Sequence, residues 1–445
     1  MQTVAFHTLG CKLNFSETST LARQFKDAGW CKADFPGPAD VYVINTCSVT
    51  ENADRECRQI VNRAMASNPD GKVIVVGCYA QLKPQEIADM QGVDLVLGAN
   101  EKFNVLQYLD NLQKQEHGSV ISCEIEDVKN YISSYSSDDR TRVFLKVQDG
   151  CDYSCTFCTI PQARGMSRSD TVKNVITQVE KIVASGAQEI VLTGVNLGDF
   201  GLSGENGSRT EKFIDLAKAL ENISGLMRVR ISSIEPNLVT DEVIKHVSVS
   251  SKFVPHFHIP LQSGSDEMLK AMRRRYLRQL YVDRVTKIKS LMPNSAIGVD
   301  VIVGFPGETD ELFNETVQFL KDLDISYLHV FTYSERANTP AVEMEGVVPV
   351  NIRKQRNKVL RNLSMKKQRA FYESQIGSQW PVLFEAEKQE GLMYGYSSNY
   401  IRVATPYNEQ LVNKIVSCKI TGVSSEGLAE VEFCDHENLK LVSAH

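Results

Sequence analysis

The chain has 445 residues, 42% of them hydrophobic, and a formal net charge of -6 at neutral pH. That length exceeds what one hydrophobic core organises, so two to four domains are expected, each with enough apolar material to fold without staples. The acidic balance excludes a chain that is basic throughout and confines any nucleic-acid contact to a local cationic surface.

The opening MQTVAFHTLGCKLNF lacks the charged and apolar regions of a secretory signal, and no apolar run reaches the length of a membrane span. A cytoplasmic protein without membrane contact is expected. The 11 cysteines are then poor candidates for disulfides, which leaves metal binding or burial. From Thr3 to about Gln115, the runs TVAFHTL, VYVINT, KVIVVG and VDLVLG alternate with helical stretches. This pattern predicts an α/β domain with a doubly wound parallel sheet, over residues 1–118. The first three runs end in Cys11, Cys47 and Cys78. Ligands of open α/β sheets bind beyond the carboxyl ends of the strands, so the three thiols are candidates for one site. Each alone reads rather as a small buried hydrophobe, and it is their shared position at three successive strand ends that favours a site.

The polar segment YISSYSSDDRT, at 131–141, reads as a linker. After it, VFLKVQ leads into DGCDYSCTFCTIPQARGMSRS, where Cys151, Cys155 and Cys158 have the spacing C-x3-C-x2-C. Three thiolates grip three corners of a [4Fe-4S] cube and leave one iron open, whereas a zinc site would need a fourth ligand. Within this loop none is present, although Cys123 is a candidate to return and close a tetrahedron. Five more strand candidates follow: EIVLTG, MRVRIS, HFHIP, AIGVDVIVG and YLHVFTY. Together they predict an open (β/α)6 barrel over residues 137–370, with active groups at the carboxyl ends of its strands.

The C-x3-C-x2-C motif resembles the radical S-adenosylmethionine superfamily, and TLGCKLN, NTCSV and VGCYA before it resemble its methylthiotransferase branch. The resemblance spans essentially the whole chain. It implies two [4Fe-4S] clusters, one on Cys151, Cys155 and Cys158 and a sulfur-carrying one on Cys11, Cys47 and Cys78. S-adenosylmethionine would serve twice, once to methylate the carried sulfur and once to be reductively split, so that a methylthio group is placed on adenosine C2. TLGCKLN and QDGCDYSCTFCTIPQARGMSRS look closest to members acting on N6-threonylcarbamoyladenosine at tRNA position 37. Isopentenyladenosine-specific members more usually read YGCQMN, and ribosomal-protein-specific members SLGCPKN. An electron donor such as flavodoxin or ferredoxin is implied; the sulfur donor is left open.

Pocket residues follow from the same resemblance. Gly194 and Asn196 stand where the superfamily has a glycine pair facing the cofactor's amino end, with Val195 in place of the second glycine. Ser232, Ser233 and Glu235 offer hydroxyls and a carboxylate to a ribose, a helix cap being the competing reading of Glu235. Gln262, Gly304 and Gly307 follow the fourth and fifth strands, where glycine permits close approach to an adenine. Arg164 and Arg168 are expected at the RNA phosphates or the cofactor carboxylate. Arg273, Arg274 and Arg275 form a further basic cluster.

Between Asn351 and Ala370 the chain has eight basic residues and no acidic one, on a helical pattern that suggests phosphate contact. Beyond Gly377, short alternating runs predict a small β-barrel, at 374–443, that resembles the OB-like TRAM domain. Its Trp380, Tyr394, Tyr396, Tyr400 and Tyr407 are candidates for stacking on bases, with core packing the simpler reading for most. Two rival functions remain from the sequence: methylthiolation of an isopentenyladenosine tRNA or a ribosomal protein, and a noncatalytic zinc-containing RNA-binding protein.

Overall fold

The computed structural model describes residues 1–47, 51–136, 141–202 and 209–434. The N-terminal sheet holds β1 (Thr3–Thr8), β2 (Cys31–Ala33), β3 (Val41–Thr46), β4 (Lys72–Gly77), β5 (Leu95–Leu97) and β6 (Ser119–Ile121). All are parallel, in the order β2-β1-β3-β4-β5-β6. β6 lies just past residue 118, where the sequence suggested that the domain ends, because its SVI run is too short to register as a strand. β3 and β4 are buried on both faces, as near-continuous apolar runs require. Cys57, Ile60 and Val61 of the helix Glu51–Ser67 cover one face, and Leu21 and Phe25 of the helix Lys12–Asp27 the other. The strand order reverses between β1 and β3, which opens a crevice at their carboxyl ends.

The polar segment expected to be a linker contributes β7 (Ser134–Tyr135), antiparallel to β8 (Arg142–Lys146). Its serines hide this from a composition reading: Ser134 Oγ meets Ser16 Oγ at 2.9 Å, and Ser136 Oγ accepts from the Phe144 N–H at 2.8 Å. Residues 137–140 of this segment lie outside the described residues. Parallel strands β8, β9 (Glu189–Thr193), β10 (Arg228–Ile231), β11 (His256–His258), β12 (Ala296–Val303) and β13 (Tyr327–Thr332) form the open barrel. A bridge from Val229 to Phe253 links its two halves. Leu145, Leu192, Val229, Phe257, Val301 and Leu328 face the surrounding helices in one core. Strand alternation therefore turns Lys146, Glu189, Arg228, Arg230, His256, His258, Asp300 and His329 to the concave side.

The helix Val350–Glu373 covers the free edge of β13, an otherwise exposed row of peptide groups. Ser364 Oγ accepts from the Leu328 N–H at 2.8 Å, and Asn357 Nδ2 donates to the Val330 carbonyl at 3.3 Å. Its positive run is less solvated than its composition suggests. Arg353 and Arg356 are buried, and Arg356 pairs with Glu308 at 2.8 Å and Asp310 at 2.7 Å. Lys354, Lys358 and Arg361 stay exposed.

Strands β14 (Gln379–Gln389), β15 (Leu392–Ser397), β16 (Arg402–Pro406), β17 (Ile415–Val423) and β18 (Ala429–Phe433) close a C-terminal barrel of the TRAM-like kind. It sits against the amino ends of the central strands. Arg230 pairs with Glu189 at 2.8 Å and donates to the Ser397 and Ser398 carbonyls, while Tyr400 stacks on His256 with centroids 4.1 Å apart. Tyr396 stacks on Tyr400, so these two candidate RNA platforms are committed to the domain seam. The opposite end of the central barrel is left for the cysteines.

Candidate active site

β8 runs on into Gln148–Asp149, which pairs antiparallel with Arg168–Ser169 and clasps the loop between them. The Cys151 N–H donates to the Gly165 carbonyl at 3.0 Å, and the Ser167 N–H to Asp152 Oδ1 at 2.6 Å. Each sulfur in the loop accepts a donor: Tyr153 N–H to Cys151 Sγ at 3.4 Å, Ile160 N–H to Cys158 Sγ at 3.5 Å, and Arg274 Nη1 to Cys155 Sγ at 2.9 Å. Donors of this kind orient thiolate ligands and temper their charge. Burial pushes the Cys151 and Cys158 thiols up to about 12 and raises Cys155 as well. Bare, they would stay protonated at neutral pH. A bound cation removes that proton, so the trio suits metal ligands rather than free nucleophiles. Cys123 lies at the end of β6, where Gln81 Nε2 donates to its carbonyl and Asp127 and Glu101 are the charges acting on it.

The arginine cluster at 273–275 is not the open basic patch its sequence suggests. Arg274 is drawn in to Cys155 and to the Glu235 carboxylate, and Arg275 lies over the Tyr153 ring, 3.8 Å from its centroid. Both therefore brace the cysteine loop. The sequence shows three arginines together but not which of them turns inward, so Arg274 is a site residue it leaves unmarked. Burial raises the Glu235 carboxyl, against the pull of Arg274.

Asn196 ties three loops together: its N–H donates to Gln148 Oε1 at 2.9 Å, its amide to Asp199 at 2.7 Å, and its Oδ1 accepts from the Glu235 N–H at 3.2 Å. Gly194 lies on Gln148, where a Cβ would come 2.8 Å from Oε1. The Ser233 carbonyl accepts from the Leu197 N–H, and the neighbouring Ser232 hydroxyl is buried with no partner among the described residues. An orphaned buried hydroxyl beside the cysteine loop suits a bound polar ligand. Gln262 has a φ of 71° and bridges to β12, its N–H donating to the Asp300 carbonyl. At Gly304 the space that a Cβ would fill is taken by the Arg353 stem, 2.3 Å away, so this glycine serves the packing of the long helix.

Across from this loop, Cys11 caps the helix Lys12–Asp27, Cys47 follows β3 and Cys78 opens the helix after β4. A Cβ on Gly10, whose φ is 103°, would lie 2.6 Å from the Cys47 Cβ. Asn14 fixes the same approach by donating to the Leu9 and Thr46 carbonyls at 2.7 and 3.0 Å. Gly10→Ala is expected to cost on the order of 1–3 kcal/mol and to lower the iron and sulfide recovered per chain. Gly29→Ala is the control: its φ is also positive, at 85°, but nothing lies within 4 Å of its Cβ.

Arg164 and Arg168, expected at the RNA phosphates or the cofactor carboxylate, are instead buried. Arg164 donates to Asn14 Oδ1 at 2.7 Å, Asp149 Oδ1 at 2.9 Å and Glu17 Oε1 at 3.0 Å. Glu17 also meets Lys102 at 2.6 Å and Lys146 at 3.2 Å, and Arg168 lies 3.7 Å from Asp149. Neither arginine is offered to a phosphate, because buried carboxylates already hold both. Burial alone would raise the Glu17 and Asp149 carboxyls, but the surrounding cations hold them well below the usual range. Four cations thus face two carboxylates, and Arg164 reaches the N-terminal thiols through Asn14, whose Oδ1 lies 3.8 Å from Cys11 Sγ. That surplus suits an anionic centre on the N-terminal thiols.

Residues 3–98 match the family described as "Uncharacterized protein family UPF0004", and residues 145–320 match the radical SAM superfamily. The chain is 43% identical over 427 residues, 94% of each protein, to the threonylcarbamoyladenosine tRNA methylthiotransferase MtaB of Bacillus subtilis (strain 168). The Thermotoga maritima MtaB is 35% identical over 96% of both chains. A tRNA-2-methylthio-N(6)-dimethylallyladenosine synthase of Clostridium botulinum (strain Hall) is 33% identical over 96% of both. Among solved structures, the radical S-adenosylmethionine methyltransferase TsrM of Kitasatospora setae has a similar fold, with a TM-score of 0.57, 13% identity and coverage of 77% of this chain and 75% of that one. No helix among the described residues is long and apolar enough to cross a membrane. With two cysteine sites joined through one buried arginine, and relatives aligned along nearly its whole length, the chain belongs to the radical SAM methylthiotransferase family.

Proposed function

We propose that the chain is a cytoplasmic radical SAM tRNA methylthiotransferase that converts N6-threonylcarbamoyladenosine at position 37 to its 2-methylthio derivative. The observation that carries this reading is the pairing of the Cys151, Cys155 and Cys158 loop with the Cys11, Cys47 and Cys78 crevice through Arg164 and Asn14, in a chain 43% identical to a relative bearing that activity in its name. With [4Fe-4S] clusters bound at the two sites, the chemistry supplied is reductive splitting of S-adenosylmethionine at the first and a methylated sulfur at the second.

The protein's own groups prepare that chemistry. Arg274 and the loop N–H groups orient the three thiolates, Asn196 holds the pocket loops at one spacing, and the unpartnered Ser232 hydroxyl would be available to hold the cofactor. Arg164 fixes the crevice relative to the loop. The aromatic C–H is unactivated, so no side chain is assigned as a base. A flavodoxin or ferredoxin supplies electrons in this reading, and the exposed Lys354, Lys358 and Arg361 suit an RNA backbone.

Anaerobically reconstituted protein, given dithionite and S-adenosylmethionine, is expected to add a methylthio group to a threonylcarbamoyladenosine anticodon stem-loop. An isopentenyladenosine stem-loop and a ribosomal protein substrate should gain no mass. Modification of either of those instead would overturn the substrate, and a colourless zinc protein would overturn the chemistry.

A further inference from the structure

We infer that the groove between β13 and the helix Val350–Glu373 is where the single-stranded anticodon loop crosses the barrel rim, with a base next to nucleotide 37 stacked on Phe331 and backbone phosphates on Lys354, Lys358 and Arg361. The inference rests on the tRNA substrate proposed above and goes on to say which part of that RNA the groove reads.

The groove has a volume of about 670 Å³ and draws its walls from both elements: His329 and Phe331 from the strand, and Lys354, Lys358, Arg361 and Met365 from the helix. That volume falls in the range of ligand sites, roughly 300–1,000 Å³. No Asp or Glu lines it.

The helix divides its cations by partner. Arg353 and Arg356 are held by Glu335, Glu308 and Asp310, Lys367 donates to the Lys321 and Leu323 carbonyls, and Arg369 pairs with Glu373. Lys354, Lys358 and Arg361 are exposed and make no hydrogen bond or ion pair among the described residues. Their spacing of four and three residues sets them in one row along the groove. A row of unpaired cations with no carboxylate beside it is complementary to a chain of phosphates.

Phe331 says which kind of phosphate chain. Its ring keeps 43% of its surface and stacks on no other ring among the described residues. It follows His329 by two residues, so strand alternation turns it to the concave side, nearer the carboxyl ends where the cysteine loop lies. A duplex keeps its bases stacked inside, whereas a loop can lay an open base face on a ring. Nucleotide 37 has to pass this rim to reach the cysteines, which leaves a neighbouring base at the rim itself. An acidic electron-carrying protein would also be drawn by the three cations, but it has no counterpart for a ring turned toward the barrel interior.

The test uses reconstituted full-length protein and threonylcarbamoyladenosine anticodon stem-loops, either intact or with the base removed on one side or the other of position 37. Phe331→Ala is expected to bind the intact loop about tenfold more weakly, with its iron content and salt dependence unchanged, and Phe331→Trp to restore the affinity. Removing the stacked base should cost the unsubstituted protein the same factor and Phe331→Ala nothing further. Lys354→Ala, Lys358→Ala and Arg361→Ala should each flatten the slope of log affinity against log salt by about 0.7. A Phe331→Ala protein that loses no affinity, or loses as much with both abasic loops as with the intact one, overturns the groove while leaving the substrate intact. Variants that keep their RNA affinity and lose only reduction by flavodoxin assign the groove to an electron-carrying protein and overturn it too. An unsubstituted protein that binds the intact loop no more tightly than an unrelated hairpin overturns the tRNA reading itself.

Discussion

Cys155→Ala is expected to abolish cleavage of S-adenosylmethionine, whereas Cys47→Ala leaves cleavage running and stops methylthio transfer. The two thiols stand in different environments. Cys155 accepts from Arg274 inside the clasped loop, and Cys47 lies against Gly10 in the crevice between β1 and β3. A three-ligand centre that loses one thiolate has only two protein bonds left, which is too few to hold the cube in place. 5′-Deoxyadenosine and methylthiolated nucleoside, quantified from the same reaction, separate the two outcomes. Equal loss of cleavage in both variants would contradict the division of labour.

Glu17→Gln is expected to be the most damaging substitution away from the thiols. Glu17 is fully buried and is the shared counter-ion of Arg164, Lys102 and Lys146. Neutralising it leaves four buried cations to the single carboxylate of Asp149, a loss of about 3–5 kcal/mol for a broken buried pair. The folded-state carboxyls of Glu17 and Asp149 lie below their ordinary values. Their stabilisation is therefore complete above the ordinary carboxylate range and is lost as pH falls through the lower folded values. Thermal unfolding midpoints should drop sharply between neutral and acid pH in the unsubstituted protein and much less in Glu17→Gln. Parallel pH profiles would show that the network does not hold the domains together.

The readable parts of this molecule are those where chemistry and periodicity coincide. TVAFHTL, VYVINT and KVIVVG are apolar enough to appear as buried parallel strands, and the cysteine after each marks the end where a ligand sits. The six barrel strands appear in the sequence for the same reason. Ser134 and Tyr135 do not read as strand, because Ser134 and the adjoining Ser136 satisfy an edge with hydroxyls rather than with apolar surface. Arg164, Arg168 and Arg274 read as surface charge, since their partners Glu17, Asp149 and Glu235 are far away in the chain. A long-range ion pair leaves no local signature. The same holds for Arg353 and Arg356, whose partners lie on the preceding barrel segment.

The seam between the C-terminal barrel and the amino ends of the central strands limits how this enzyme can be rebuilt. Arg228, Arg230, Glu189 and His256 form a floor that depends on carbonyls and rings from Pro381 to Tyr400. Truncating the chain after the long helix would flood that floor with water and strand its charges. Grafting a foreign RNA module there would succeed only if the newcomer brought matching acceptors and a ring to cap the imidazole.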